Sequence, residues 1–261
     1  MKRTPVKILG LEFFSGSAKE AVAEILSGGL LVAPAAPGLA NNLLLDPYYR
    51  KALQNSRLCI PDSGLMVLLW NRISPNVSQK IQRLSGLEFL QEFLMTSEVQ
   101  TKLKSSFWVM PNVEESELNQ EWLDEHTGTQ LNPKSVYIAP HYSNSGEIED
   151  LELLEKLKET KPSLIFINVG GGIQERLGDY IQGNLTDPPA ILCCGAAIAF
   201  LAGGQTSIPS WADRLKLGWL LRCLSKPTSY IPRYWNARTL VPLVIKYREK
   251  SPPLESNNRS I

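Results

Sequence analysis

Short apolar runs alternate with stretches of helical periodicity along most of the chain. The runs are rich in β-branched and aromatic side chains, which is typical of strands covered on both faces. They predict a strand or strand pair at 6–13 and strands at 30–34, 57–61, 106–110, 135–139, 163–169 and 190–195. Helices are predicted between them at 18–27, 39–55, 64–72, 86–97, 114–126, 147–160 and 173–184. This alternation predicts an α/β fold with a mainly parallel sheet and helices on both faces.

The pattern changes near residue 205. We expect an α/β domain over 1–205, a helical appendage over 206–250 and a disordered tail over 251–261. In the appendage, arginine and lysine far outnumber acidic residues, and tryptophan, tyrosine and leucine lie among them at helical spacing. This composition suits a helix on an anionic membrane surface; a packed helical cap with solvated arginines is the plainer alternative. Nucleic acid is not expected as a partner, because the rest of the chain shows no basic patch.

Composition narrows the class of protein only moderately. The chain has 261 residues, of which 43% are hydrophobic and 20% charged, with a net charge of +1, as in an ordinary soluble globular protein. The four cysteines form no CxxC pair and only two histidines are present, so a zinc site is not expected. Cysteines in apolar runs indicate a reducing compartment. No signal peptide or spanning run is apparent, and we expect a cytoplasmic protein.

Polar residues that follow the predicted strands are the first candidates for a site, because ligands of open α/β sheets bind beyond the carboxyl ends of the strands. Asp62 directly follows the strand RLCIP, where a carboxylate can act as a general base. The alternative is that Asp62 or Ser63 caps the next helix. Arg83 precedes a predicted helix and can pair with a diphosphate, although a solvated surface arginine is the commoner outcome.

The stretch NVGGGIQERLG at 168–178 is the second candidate. Gly170 and Gly171 would allow a ligand close to the backbone, and the helix that follows favours a phosphate at its N-terminus. Gln174 can hydrogen-bond a sugar or a base. A Gly-rich turn with a solvated Gln-Glu pair is the alternative. The stretch lacks the GxGxxG spacing and a Walker lysine, which argues against a dinucleotide fingerprint. Gly195, in a run of small residues, can form the floor of a nucleotide site or simply pack tightly.

Six motifs, taken in order and spacing, resemble the WecG/TagA/CpsF family of glycosyltransferases over roughly residues 6–236. They are PDSG at 61–64, RLSGLEFL at 83–90, KPSLIFINVGGGIQE at 161–175, CGAAIAFLAG at 194–203, IPSWADRLKLGWLLR at 208–222 and PRY at 232–234. The resemblance implies a Rossmann-like core and inverting transfer of an N-acetylhexosamine-type sugar from a UDP-sugar to a polyprenyl-diphosphate-linked acceptor. It also implies metal-independent catalysis and a peripheral position on the inner face of the cell membrane, within surface polysaccharide biosynthesis.

The resemblance also assigns roles to single residues. It makes Asp62 the base that deprotonates the acceptor hydroxyl. By the same matching, the substrate-binding residues are Arg83, Gly170, Gly171, Gln174, Glu175, Gly195, Arg222 and Arg233, the last two neutralising diphosphate charge. An acid such as Glu175 beside a diphosphate would be repulsive unless it faces away or pairs with a base such as Arg176.

The chain departs from the family pattern at the predicted ligand face. Ala35 and Ala36 replace polar residues after the second strand, Pro111-Asn112 replaces a glycine pair, and a GYF element is absent around PHYSNSG. Gly172 stands where the family has proline. Further along, Ser207 and Gly218 replace an arginine and a glutamate. Two alternatives therefore stay open: a non-catalytic or altered-specificity member that acts as a binding module in a polysaccharide assembly complex, and a nucleotide-sugar or dinucleotide enzyme on a Rossmann-like core. A homo-oligomer is also left open.

Overall fold

The fold is built on one eight-stranded sheet. A computed structural model describes residues 4–74, 76, 79–195, 197–203, 235 and 237–255. The strands are β1 Val6–Ile8, β2 Leu11–Phe13, β3 Gly29–Val32, β4 Leu58–Cys59, β5 Ser106–Met110, β6 Val136–Ile138, β7 Leu164–Ile167 and β8 Ala190–Cys193. They lie in the order β1-β2-β4-β3-β8-β7-β5-β6. Only β1 and β2 pair antiparallel; the other neighbours in the sheet are parallel.

Helices connect the parallel strands. Their bounds are α1 Ala18–Ile25, α2 Leu43–Leu45, α3 Pro47–Asn55, α4 Gly64–Ile73, α5 Gly86–Met95, α6 Ser97–Lys102, α7 Val113–Thr127, α8 Leu151–Thr160, α9 Ile173–Asn184, α10 Ala197–Leu201 and α11 Leu240–Tyr247. The predicted α/β fold with a mainly parallel sheet is confirmed.

The strands separate two hydrophobic clusters, one on each face of the sheet. In β5, Phe107 and Val109 belong to one cluster, while Trp108 belongs to the other. Leu30 and Leu31 of β3 divide in the same way. Because successive side chains of a strand point to opposite faces, continuous apolar strands require cover on both sides. That requirement places the helices and fixes the loops between them.

The single helix predicted over 39–55 is wrong. The chain forms a π-helical turn at Gly38–Asn42, the short α2, and then α3 after a break at Asp46. Pro47 has no N–H to continue a helix, and Asp46 is extended and accepts hydrogen bonds from the N–H groups of Tyr48 and Tyr49. Local chemistry therefore restarts the helix here.

Two other predicted helix boundaries move for a similar reason. The helix expected over 147–160 begins at Leu151, because the Asp150 carboxylate caps it by accepting from the Leu153 N–H. The helix expected over 86–97 ends at Met95. Thr96 is extended there, and α6 starts at the next residue.

The end of the chain returns to its beginning. Leu240 and Val244 of α11 are buried in the same cluster as Met66 and Trp70 of α4. The Leu9 N–H donates to the Arg248 carbonyl (2.6 Å), the Gly10 N–H to the Glu249 carbonyl (3.1 Å) and the Glu255 N–H to the Leu44 carbonyl (3.0 Å). Residues 206–234 and 236, which are most of the predicted appendage, lie outside the described residues, as do residues 204–205 before it and residues 256–261 of the predicted tail. Within the part that is described, no helix combines the length and apolar character needed to cross a bilayer.

Candidate active site

Four parallel strands bring the predicted loops to one edge of the sheet. β4, β3, β8 and β7 are consecutive neighbours, so their carboxyl ends lie side by side. The loop after β4 carries Asp62, the loop after β8 carries Gly195, and the loop after β7 carries Gly170 and Gln174. Ligands of open parallel sheets bind in the crevice beyond the carboxyl ends of the strands, where these loops lie.

Asp62 occupies a defined position in this crevice. Its Oδ1 atom lies 3.4 Å from Arg83 Nη2 and accepts from the Gly86 N–H at 3.3 Å. The Arg83 Nε donates to the main-chain carbonyl of Asp62 at 2.8 Å. Because 26% of the Asp62 side chain remains exposed, the carboxylate is held by two donors and still reaches solvent. Among the described residues, none donates a hydrogen bond to Oδ2.

The helix cap after β4 is made by the neighbouring residue. Ser63 is buried and its hydroxyl accepts from the Met66 N–H at 3.2 Å, which starts α4. Asp62 therefore does not cap α4. Its carboxylate contacts Arg83 and accepts from the N–H of Gly86, the first residue of α5. Ser85 caps α5 in the same manner, by accepting from the Glu88 N–H.

The glycine loop after β7 has an open part and a fixed part. Gly170 and Gly171 are exposed, and the space where a Gly170 side chain would stand is empty to 4 Å. Gly172 is buried with φ +94, in the region that favours glycine. A side chain at Gly172 would lie 2.5 Å from Asn42 Nδ2. The first two glycines are thus accessible, and the third sets the turn.

Gln174 links the two glycine-containing loops. Its side chain is only 3% exposed; the Oε1 atom accepts from the Gly195 N–H at 2.7 Å and the Nε2 atom donates to Glu175 Oε1 at 3.2 Å. Direct contact of Gln174 with a donor stays a prediction. Its observed bonds hold Gly195, whose φ is +65, beside the start of α9.

Glu175 faces into the protein. Its Oε2 accepts from the Gly172 N–H at 2.6 Å, and burial raises the pKa of this carboxyl above 4.5, although Gly172, Gln174 and Arg176 oppose the shift. An inward carboxylate removes the repulsion that an acid beside a diphosphate would cause. Contact between Glu175 and a ligand stays a prediction that the geometry does not favour.

A family model supplies the comparison that assigns the chain to a family. The model of the glycosyl transferase WecG/TagA/CpsF family matches residues 6–253. The chain belongs to this family. The resemblance drawn from the six motifs is thereby confirmed, and the protein is a glycosyltransferase of a family that acts in cell-envelope polysaccharide synthesis. Nucleotide-sugar donors and lipid-linked acceptors are general to the family. No curated protein matches the chain.

Departures from the WecG/TagA/CpsF pattern have local structural consequences. A proline, fixed near φ −65, could not adopt the backbone of Gly172, so this loop follows a path that the family's usual residue would not permit. Asn112 caps α7 by accepting from the Glu115 N–H at 2.8 Å. Ala35 and Ala36 are half-buried after β3, and hence present no polar side chain to the crevice.

Several residues matched to the family fall outside the described part of the chain. Arg222 and Arg233 lie there, as do Ser207 and Gly218, and their roles stay predictions. Gly86 and Arg176 were not proposed as site residues, yet Gly86 contacts Asp62 and Arg176 contacts the glycine loop. Arg176 sits four residues after Gly172 on the starting turn of α9, a spacing that favours contact; nothing in the sequence marks Gly86 as a partner of Asp62.

Two cysteines flank the crevice without offering a nucleophile. Burial, reinforced by the negative charge of Glu175, raises the pKa of the Cys193 thiol, and burial next to Asp62 raises that of Cys194. The thiolate is the reactive form of cysteine, so both groups are held in their unreactive state. The catalytic role of Asp62 stays a prediction.

A separate cavity of about 1180 Å³ lies beside β1, β2 and β4. Its lining includes Lys7, Glu12, Glu24 and Arg57, which bring charges of both signs, but neither Asp62 nor the glycine loop. We assign the cavity no part in the transfer.

Proposed function

We propose that this protein is an inverting transferase that moves an N-acetylhexosamine-type sugar from a UDP-sugar to a polyprenyl-diphosphate-linked acceptor in surface polysaccharide biosynthesis. The observation that carries the proposal is the Asp62 carboxylate, part-exposed at the carboxyl end of β4 and held through one oxygen by Arg83 and Gly86. A base needs a fixed carboxylate within reach of the attacking oxygen, and this arrangement supplies one.

In the proposed reaction, Asp62 Oδ2 accepts the proton of the acceptor hydroxyl. The hydroxyl oxygen forms a bond to the anomeric carbon from the face opposite the leaving group, which inverts that carbon. The bond from the anomeric carbon to the phosphate oxygen breaks, and UDP leaves with the electron pair. Arg83 and Gly86 keep Oδ1 occupied, so Oδ2 is the oxygen directed to the acceptor.

Charge on the leaving UDP must be stabilised. The N–H groups of Gly172, Ile173 and Gln174 at the start of α9 already have acceptors, in Glu175 and the Gly170 carbonyl. The diphosphate is therefore proposed to bind to the exposed main chain of Gly170 and Gly171 just before them. Arg222 and Arg233 are proposed to add positive charge, and no metal is required in this scheme. Retention of full activity in EDTA is the expected result; loss of activity that Mg²⁺ or Mn²⁺ restores would contradict it.

The test measures UDP release with a panel of UDP-sugars and a short-chain lipid-diphosphate acceptor. We expect Asp62→Asn to lower kcat by about 10²- to 10⁴-fold, the usual contribution of a general base. Urea unfolding should stay nearly unchanged, because a part-exposed ion pair contributes only about 0–1 kcal/mol. Asp179→Asn is the matched control, because Asp179 lies on α9 away from its N-terminus and accepts a hydrogen bond from Asn55, the last residue of α3.

Each outcome has a clear meaning. Full activity in Asp62→Asn would refute Asp62 as the base. If the wild-type protein releases no UDP with any combination of UDP-sugar and acceptor, the non-catalytic binding module is supported. Ala35 and Ala36 are the best argument for that alternative. Tight NAD binding by calorimetry would support the dinucleotide enzyme instead.

We also propose a peripheral position on the inner face of the cell membrane. Trp235 is 62% exposed with the Arg238 guanidinium 4.2 Å from its ring centroid, and Ile245 and Lys246 are exposed on α11. Apolar side chains beside basic ones are the composition of a surface that binds anionic lipid. Such binding would place Asp62 within reach of a lipid-linked acceptor.

Sedimentation with vesicles tests this position. Trp235→Ala combined with Ile245→Ala should reduce binding to anionic vesicles, while Leu151→Ala, an exposed apolar residue of α8, should not. Point substitutions are preferable to truncation after residue 205, because truncation would remove the buried Leu240 and Val244. Equal sedimentation of the double variant and the wild type would contradict this role of α11.

A further inference from the structure

Arg176 is a buried charge attached to the glycine loop. Its residue exposure is 3%, and its Nε donates to the Gly172 carbonyl at 2.9 Å. Its Nη1 donates to the Gly146 carbonyl at 2.6 Å and its Nη2 to the Ser143 carbonyl at 2.7 Å. Nε also lies 3.4 Å from Asp46 Oδ2. One guanidinium thus contacts three segments that are distant in the sequence.

These segments meet at the start of α9. Gly172 belongs to the loop after β7, Ser143 and Gly146 to the loop between β6 and α8, and Asp46 to the cap of α3. Asp46 closes the arrangement, because its Oδ2 also accepts from the Gly146 N–H at 3.2 Å. A planar guanidinium can serve several carbonyls at once, which the ammonium of lysine cannot do in the same geometry.

The contact acts on the peptide groups of Gly172. Glu175 accepts its N–H and Arg176 donates to its carbonyl, so hydrogen bonds hold the residue on both sides. Gly170 and Gly171 immediately before it are exposed and lack side chains that could order them. The Gly170 carbonyl accepts from the Ile173 and Gln174 N–H groups, at 3.2 and 3.1 Å. The orientation of the Gly171 peptide groups therefore depends on two anchors, this carbonyl before it and Gly172 after it.

We propose that Arg176 is a positioning residue that orients the glycine loop for the donor diphosphate and couples it to the β6–α8 loop. This inference rests on the proposed function of the loop as a donor site. Arg176 itself is buried and does not touch the donor; it acts through Gly172. A buried guanidinium needs hydrogen bonds of this kind for stability alone. The donor KM and the Kd for UDP are therefore the readouts that separate a positioning role from a structural one.

The test uses Arg176→Lys, which keeps the positive charge beside Asp46 but loses the fork to the carbonyls. We expect the KM for the donor and the Kd for UDP to rise by about 10- to 100-fold, the size expected when charge-assisted hydrogen bonds are lost, with kcat changed less than threefold. Amide hydrogen exchange of residues 143–146 and 170–172 should become faster. Arg57→Lys is the control, because Arg57 Nη1 donates to the Gly28 carbonyl at 3.2 Å, before the amino end of β3.

A second variant keeps the inference testable if Arg176→Lys folds poorly. Arg176→Gln combined with Asp46→Asn removes both charges together and should raise the same KM and Kd. An unchanged KM, Kd and exchange rate in a folded variant would overturn the inference, and so would a fall in kcat alone. If the wild type neither binds UDP nor releases it, the proposed function fails instead, while faster exchange in the variant would still show the contact with the loop.

Discussion

Gly172→Ala is the sharpest test of how the glycine loop is built. A methyl group at this position meets two obstacles: a backbone with φ +94 and Asn42 Nδ2 at 2.5 Å. A non-glycine residue in a sparsely populated backbone region costs about 1–3 kcal/mol. Asn42 is a side-chain terminus that can rotate, at about 0.5–1.5 kcal/mol for an unfavourable rotamer. We therefore expect a loss of about 2–4 kcal/mol in the free energy of unfolding.

Urea unfolding followed by circular dichroism measures this loss, and Gly170→Ala is the matched control. Gly170 lies in the same loop, has no left-handed backbone, and has no atom within 4 Å of the added carbon. Its substitution should change stability by less than about 0.5 kcal/mol. It should nevertheless raise the donor KM, because the methyl group enters the space proposed for the ligand.

A double variant separates the two causes of the expected loss. Asn42→Ala in the Gly172→Ala background removes the close contact and leaves the backbone strain. We expect this double variant to regain about 0.5–1.5 kcal/mol of the free energy of unfolding, which is the cost assigned to the unfavourable Asn42 rotamer. If Gly172→Ala is as stable as Gly170→Ala, the reasoning from backbone angle and contact is wrong.

Two further predictions concern α9. Burial raises the pKa of the Glu175 carboxyl above its ordinary value, so the folded state holds this proton more tightly than the unfolded state. The resulting stabilisation is fully present below the pKa of the unfolded state and is lost as the pH rises through the raised pKa. In urea titrations, the free energy of unfolding of the wild type relative to Glu175→Gln should therefore fall as the pH rises above the ordinary pKa of glutamate; a constant difference would contradict the shift. Gly178→Ala should lower the free energy of unfolding by about 1–3 kcal/mol, because the added carbon would lie 2.6 Å from Leu30 Cδ1 and 3.0 Å from Cys193 Sγ. Gly183→Ala has open space around the added carbon and should be neutral or stabilised by up to about 1 kcal/mol. Equal stability of these two variants would refute the packing argument.

Much of the fold was predictable because its information is local. The run Ser106–Met110 is apolar on both faces and forms β5 over the range expected. The cap at Asp46 and the proline after it are also local signals, and the prediction of one helix over 39–55 is wrong because an acidic cap followed by proline starts a new helix. Where residue chemistry acts within a few positions, the sequence is informative.

The candidate site was predictable only in outline. Asp62 and the glycine loop follow strands, so topology alone brings them to one edge of the sheet. The sequence does not reveal that Gln174 turns inward to Gly195, or that Arg176 reaches Gly146 and Asp46. Those contacts join segments that only the folded chain brings together, and no spacing encodes them.

The close approach of Leu9 to Arg248 and of Gly10 to Glu249 changes how the basic segment relates to the rest of the chain. α10 begins two residues after Gly195 and α11 packs on α4, so the described residues on either side of 204–234 both belong to the sheet domain. A chain segment whose two flanks are fixed is tethered near both of them. A circular permutant that links the first and last residues of this sequence and opens the chain between 203 and 235 would release one of the two tethers and leave the contacts described above in place.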